Sequence, residues 1–330
     1  MFKQLISKLS LGSIAFIASA AFASGTYADE AITTINFGII STESSQNLRQ
    51  DWQPIIDDMS KKIGIKVTPF FAPDYAGVIE GMRFNKVQVA WLGNKAAMEA
   101  VDRSSAEIFA HVVNADGSAG YHSMISVHKD SPYQTLDDLL KNAKNVNFGI
   151  GDPNSTSGFL VPSYYVFAQN NVNPKTAFKT IRGANHETNI LAVANKQVDA
   201  AVHASDTLVR VTARQPEIAS QLRQIWKSPL IAADPLVLRK DLPYDVKKKI
   251  KEFFTSYGQS GPYAAREKGL LAKLTLSGFS ESSNAQLKPI RQLELFKEKV
   301  KIENDEKLSA DEKKSKLDDI SRKLSDVAKS

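Results

Sequence analysis

Three consecutive hydroxyl side chains, Ser155, Thr156 and Ser157, stand in the turn Gly151-Asp152-Pro153-Asn154-Ser155-Thr156-Ser157-Gly158-Phe159. Before it, Val146-Asn147-Phe148-Gly149-Ile150 alternates like a strand; after it, Phe159 to Asn170 is long and apolar enough for a helix that Pro162 would kink. Hydroxyls at a helix start add to free backbone N–H groups and the positive end of the helix dipole, a site suited to a tetrahedral oxyanion. A plain N-cap is the competing reading, yet a cap needs one hydroxyl and the turn holds three. The turn lacks the Lys of a phosphate-binding P-loop and the spacing of a dinucleotide fingerprint, so nucleotide binding is unsupported.

A second strand-to-helix junction, Ala184-Asn185-His186-Glu187-Thr188-Asn189, puts His186 where it serves either as a buried structural group or as a donor to an anion. Asp206 follows a candidate strand, and Asp234 lies in a later apolar crossing. Such aspartates are usually solvated or capping. Facing an anion site, they would instead suit a ligand that also carries an amine. The five histidines, His111, His122, His128, His186 and His203, show no metal-ligand spacing and no HExxH pattern, and there is no cysteine. Disulfides, thiol catalysis and thiolate metal sites are excluded, and neither metal nor cofactor is expected.

The elements that must hold these residues alternate. Ile35 to Ile40, Ile65 to Phe71 and Val87 to Trp91 read as strands, with helices at Gln53 to Ile63, Tyr75 to Phe84 and Lys95 to Arg103. A second set has strands at Val146 to Ile150, Phe178 to Ile181 and Asp199 to His203, and helices near Phe159 to Asn170 and Glu187 to Asn195. The pattern predicts parallel α/β sheets in two lobes. Two extended segments, Tyr121 to His128 and Pro229 to Arg239, would carry the chain into the second lobe and back, leaving a cleft and a hinge between lobes. The domain reading is therefore residues 29–121 with 229–292 as lobe 1, 122–228 as lobe 2, and 293–330 as a helical extension. In that extension Ser309 to Glu312 matches a capping box, and Leu317, Ile320, Leu324 and Val327 form a stripe. The stripe would pack on its own domain or pair two chains as a homodimer.

At the other end, Lys3 and Lys8 precede an apolar run, Leu11 to Phe22, too short for a membrane span, with cleavage after Ala23 or Ala28. Residues 1–28 read as an export signal, which places the mature chain in the periplasm. The formal charge of +6 falls to +4 when Lys3 and Lys8 leave. That modest, scattered excess carries no basic patch interleaved with aromatics, so no nucleic-acid partner is expected.

Four stretches complete the reading: Ile35 to Ser44, Phe71-Ala72-Pro73-Asp74-Tyr75-Ala76-Gly77, Gly81-Met82-Arg83-Phe84-Asn85-Lys86, and the hydroxyl turn. Together the chain resembles the periplasmic phosphonate-binding proteins of phosphonate ABC transporters, from about Ile35 to about Lys297. The resemblance implies a two-lobed, type II-like periplasmic binding fold closing on alkylphosphonates, 2-aminoethylphosphonate among them, for delivery to an inner-membrane ABC permease. By position it implies that Ser155, Thr156, Ser157, His186, Tyr75 and Tyr121 hold the phosphonate, while Asp206 and Asp234 face the amine. The chain departs from that family's pattern at Asp206, where a glutamate is usual, and at Leu92, where a tyrosine is usual. An exported phosphohydrolase would need a metal cluster or an activated nucleophile, and a receptor for phosphate or phosphite is the alternative within the binding class.

Overall fold

A computed structural model describes residues 32–329. The export-signal reading of residues 1–28 lies outside the described residues. Thirteen strands are present among them, in two large sheets and one ribbon. In chain order they are β1 (Thr34–Ile39), β2 (Lys66–Phe71), β3 (Val89–Trp91), β4 (Ala106–Asn114), β5 (Gly120–Tyr121), β6 (Ser123–His128), β7 (Asn147–Ile150), β8 (Thr180–Gly183), β9 (Ala200–Ala204), β10 (Leu222–Lys227), β11 (Ile231–Ala232), β12 (Pro235–Arg239) and β13 (Leu276–Glu281).

The first sheet runs β13-β4-β12-β3-β1-β2 and the second β10-β6-β9-β7-β8. In each, three strands are parallel and joined through helices: β2, β1 and β3 in one, β8, β7 and β9 in the other. The expectation of parallel sheets is corrected for the rest. β12 and β4 in the first sheet, and β6 and β10 in the second, pair antiparallel with their neighbours. Of these, β6 and β12 arrive from the other sheet without a crossover helix, and nothing then forces them to run parallel; β4 and β10, which follow helices within their own sheets, are antiparallel because each pairs with one of those two. Ile35, Phe37 and Ile39 of β1 are fully buried, as are Phe148 of β7 and Val202 of β9, so each sheet fills its own core with the strand residues that the alternation singled out.

Between the sheets the outgoing and returning chains pair with each other, Ile231 opposite Tyr121 and Ala232 opposite Gly120. A Cβ on Gly120 would stand 1.8 Å from the Ile231 carbonyl oxygen, so only glycine lets the two crossings approach this closely.

Several boundaries move. The first helix spans Ser45–Ile63 and not Gln53 to Ile63, because the Ser44 side chain accepts the Asn47 amide and starts it two turns earlier. The helix placed at Phe159 to Asn170 instead winds from Thr156, with wide π turns over Thr156–Leu160 and Ser163–Phe167 and a tight last turn to Asn170. Pro162 brings no N–H, and the winding is loose on both sides of it. The strand placed at Phe178 to Ile181 lies at Thr180–Gly183.

At the C-terminus, Lys288–Glu303 and Ala310–Lys329 form an antiparallel helical pair. Lys288 Nζ donates to the Ala328 carbonyl at one end and Lys313 Nζ to the Glu303 carbonyl at the other. The capping box is present, Ser309 Oγ accepting the Glu312 amide while the Glu312 carboxylate accepts the Ser309 amide. Ile320 is buried, and Leu317, Leu324 and Val327 are half-buried.

Candidate functional site

Five helix starts converge on one cavity between the two sheets. Tyr75 opens the helix Tyr75–Arg83, Gly93 caps Asn94–Arg103, Ser155 caps the wide helix, His186 opens His186–Ala194, and Ala204 caps Ser205–Arg214. The first two follow strands of the first sheet and the last three strands of the second. Each start brings unpaired N–H groups and the positive end of its dipole, so the shared cavity favours an anion.

The hydroxyl turn is built to donate. Ser155 Oγ accepts the Gly158 amide at 2.9 Å, as an N-cap does, and lies 3.4 Å from His186 Nε2. Thr156 Oγ1 accepts the Lys95 amide, across the cleft, at 2.8 Å. Thr156 Oγ1, with a lone pair engaged by a backbone amide, keeps its hydrogen to donate, while the Ser155 hydroxyl also lies in reach of His186 and of the Tyr75 phenol. Ser157 also lines the cavity, and its carbonyl is fixed by the Ser123 hydroxyl at 2.6 Å. The N-cap reading and the anion reading therefore do not compete: Ser155 caps, and its two neighbours are not needed for the cap.

His186 is buried, and burial lowers its pKa to about 4, so the ring is neutral at pH 7. Its Nδ1 is buried without a partner. The Tyr75 phenol lies beside Ser155, and burial, with Asp234 and Asp152 nearby, pushes it well above the usual tyrosine range. Tyr121, on the ribbon between the sheets, lies beside Asp234, and burial, with Asp234 and Asp206 nearby, pushes it well above the usual tyrosine range.

Opposite the hydroxyls stand the two acids. Asp234 is fully enclosed, and burial, with the charge of Asp206 added, raises its pKa well above the ordinary carboxyl value. Its Oδ1 has no partner, and neither has Oδ1 of Asp206, whose other oxygen accepts from Arg210 at 3.0 Å. All eight residues singled out from the sequence, Ser155, Thr156, Ser157, His186, Tyr75, Tyr121, Asp206 and Asp234, line this one cavity. The other histidines do not: His203 is buried between Ser126 and the Ala204 carbonyl, and His122 is tied to the Ser228 carbonyl. Leu92 is fully buried beneath the site, its amide bonded to the Pro235 carbonyl.

Sequence reasoning missed Thr42, whose buried hydroxyl has no partner, and Ile40, Gly93, Ala204 and Thr207, which complete the lining. Gly93 and Ala204 present backbone, which no side-chain pattern reveals. Thr42 sits in the Ser41-Thr42-Glu43-Ser44 run, a hydroxyl-rich strand end that the turn at Ser155 resembles.

A family model described as "ABC transporter, phosphonate, periplasmic substrate-binding protein" matches residues 37–287. The chain is 52% identical over 304 residues to the phosphonates-binding periplasmic protein of Escherichia coli, covering 92% of this chain and 88% of that one. It is 31% identical over 257 residues to a phosphate-import protein of Mycolicibacterium smegmatis, covering 73% and 78%. Among solved structures, the binding-protein component of an ABC phosphonate transporter from Pseudomonas aeruginosa superposes with a TM-score of 0.87 at 54% identity, over 90% of this chain and 97% of that one.

Proposed function

The chain belongs to the periplasmic phosphonate-binding family of ABC transporter substrate-binding proteins, and on that footing we propose that it captures phosphonates carrying an amine, 2-aminoethylphosphonate foremost. Ser155, Thr156, Ser157, His186, Tyr75 and Tyr121 hold the phosphonate, and Asp206 with Asp234 receive the ammonium. The carrying observation is a single cavity lined by five helix starts and three hydroxyls together with two carboxyl oxygens without partners. Unpaired buried carboxyl oxygens are costly unless a donor meets them, and an ammonium two carbons from a phosphonate is such a donor.

The protein works as a receptor, without turnover, in the periplasm, and an inner-membrane permease takes the ligand from it. Residues 29–121 with 229–292, and residues 122–228, move as the two lobes; the membership of the two large sheets supports that division. A homodimer through the C-terminal helices would have to use their charged faces, because the Ile320 stripe is turned inward. Sedimentation velocity at micromolar concentration tests it.

Phosphate itself is the second reading, favoured by the named activity of the Mycolicibacterium relative. Calorimetry decides between them. The expected result is tight binding of 2-aminoethylphosphonate, weaker binding of methylphosphonate, and recovery of the ligand unchanged; binding of phosphate in preference to both would overturn the assignment, and steady release of phosphate would overturn the receptor role.

A further inference from the structure

An ion-paired cluster crosses the cleft beside the amine end of the site. Glu43, just past β1, and Asp51, on the helix Ser45–Ile63, come from the side of the first sheet. Asp206, Arg210 and Arg214 come from the helix Ser205–Arg214 on the side of the second. Arg210 pairs with Glu43 through Nε and with Asp206 through Nη1, and its Nη2 donates to Thr207. Arg214 pairs with Glu43 and with Asp51. Glu43 and Arg210 are almost wholly enclosed, their side chains 1% and 4% exposed. Burial works against the Arg210 charge, yet Asp206 and Glu43 hold its pKa above the ordinary value.

The charges do not cancel. Three carboxylates, Glu43, Asp51 and Asp206, meet two guanidinium groups, Arg210 and Arg214, which leaves one negative charge in excess. Glu187 also reaches across the cleft, but its carboxylate is held by the Ser44 amide and the Asn47 side chain at a helix start, outside the cluster. The free oxygen of the cluster is Asp206 Oδ1, which faces the ligand cavity. Asp206 is 26% exposed and already pairs with Arg210 through its other oxygen, but an ion-paired cluster with one charge unmatched is less favourable than a balanced one, so the cluster is one cation short.

We infer that Glu43, Asp51, Arg210 and Arg214 set the receptor's preference for cationic tails: the ligand ammonium is the third positive charge of the cluster, and closure is favoured when it is present. This rests on the assignment of Asp206 to the amine end. Glu43, Asp51, Arg210 and Arg214 touch no ligand; they are positioning residues that act through Asp206 and set the charge the ligand meets.

The sign of the effect separates this role from a clamp that merely holds the lobes. Calorimetry with 2-aminoethylphosphonate and its amine-free counterpart ethylphosphonate gives the ratio of their Kd values. Glu43→Gln removes one negative charge and balances the cluster without any ligand cation, so the preference for the amine should shrink by about tenfold, corresponding to 1.4 kcal/mol. Arg214→Gln deepens the excess and should widen the preference. Asp51→Asn, farther from the cavity, should act as Glu43→Gln does, and it decides the matter if thermal melting shows Glu43→Gln misfolded. A ratio unchanged within twofold in these variants, with both ligands weakened alike, would overturn the inference. Wild-type protein that binds neither ligand would remove the functional assignment itself, a different result from an unchanged ratio.

Discussion

Thr156 Oγ1 accepts the Lys95 main-chain amide at 2.8 Å, and the two residues follow strands of different sheets. A hydroxyl that lines the cavity is thus also a cross-cleft contact. Tyr75, another lining residue, also reaches across, its amide donating to Asp152 at 3.1 Å. Under the proposed function, binding and the contact between lobes would share atoms, which would tie affinity to lobe geometry.

Replacing Thr156 with Val removes both the donor to the ligand and the acceptor for Lys95. All phosphonates should weaken together by about 1–3 kcal/mol, the range for a hydrogen bond to a charged group. Titration of methylphosphonate and 2-aminoethylphosphonate checks it; a loss confined to one of them would place Thr156 elsewhere in the pocket.

Asp206→Asn should act selectively. The ammonium loses a charged partner, so 2-aminoethylphosphonate weakens by about 1–3 kcal/mol, whereas ethylphosphonate is not weakened. Equal losses would mean that Asp206 serves Arg210 alone.

Gly120→Ala tests the hinge ribbon. Its Cβ would meet the Ile231 carbonyl at 1.8 Å, so the crossings must part. The expected cost is about 2 kcal/mol or more, as for other substitutions that force the backbone apart, read as a lower denaturation midpoint. An unchanged midpoint would show that the crossings separate freely.

His203 gives a pH signature. Burial lowers its pKa to about 4, against 6.5 in the unfolded chain. The unfolded chain therefore binds the proton first, and the contribution of neutral His203 is complete above pH 6.5 and lost progressively as pH falls to 4. At about 1.4 kcal/mol per unit the span is on the order of 3 kcal/mol. Scanning calorimetry should find His203→Gln flatter than the wild type through this window; parallel profiles would contradict the assignment.

Ile320→Ala should loosen the last helix by about 2–4 kcal/mol, since the side chain is 2% exposed against the preceding helix. Hydrogen exchange in 310–329 should quicken while ligand affinity holds. Exchange unchanged there would mean that Ile320 contributes nothing to that packing.

What was legible in the sequence follows from how local the signal is. Ile35, Phe37 and Ile39 mark their strand by alternation, and Ser155 and His186 mark helix starts by residue type, so both sheets and the helix starts that line the cavity were readable. The antiparallel pairing around β6 and β12 was not, because it depends on where in each sheet the chain arriving from the other lobe inserts. The wide winding after Thr156 was missed because the 3.6 period hides a looser turn. The cluster of Glu43 with Arg210 was invisible for a different reason: its members stand 167 residues apart and meet only across the closed cleft.

The hinge ribbon has a mechanical meaning. Tyr121 lies in it and Asp234 follows it by two residues, so the ribbon that joins the two sheets also lines the cavity. Under the proposed function, a bound molecule would therefore bear on the pivot itself and not only on the jaws, and a pivot moved by a fraction of an ångström would swing the far rims through many times that distance, as the short arm of a lever drives the long one. A difference of a single atom at the ligand's tail would thereby be converted into rim displacement, the scale at which another protein could tell a loaded molecule from an empty one.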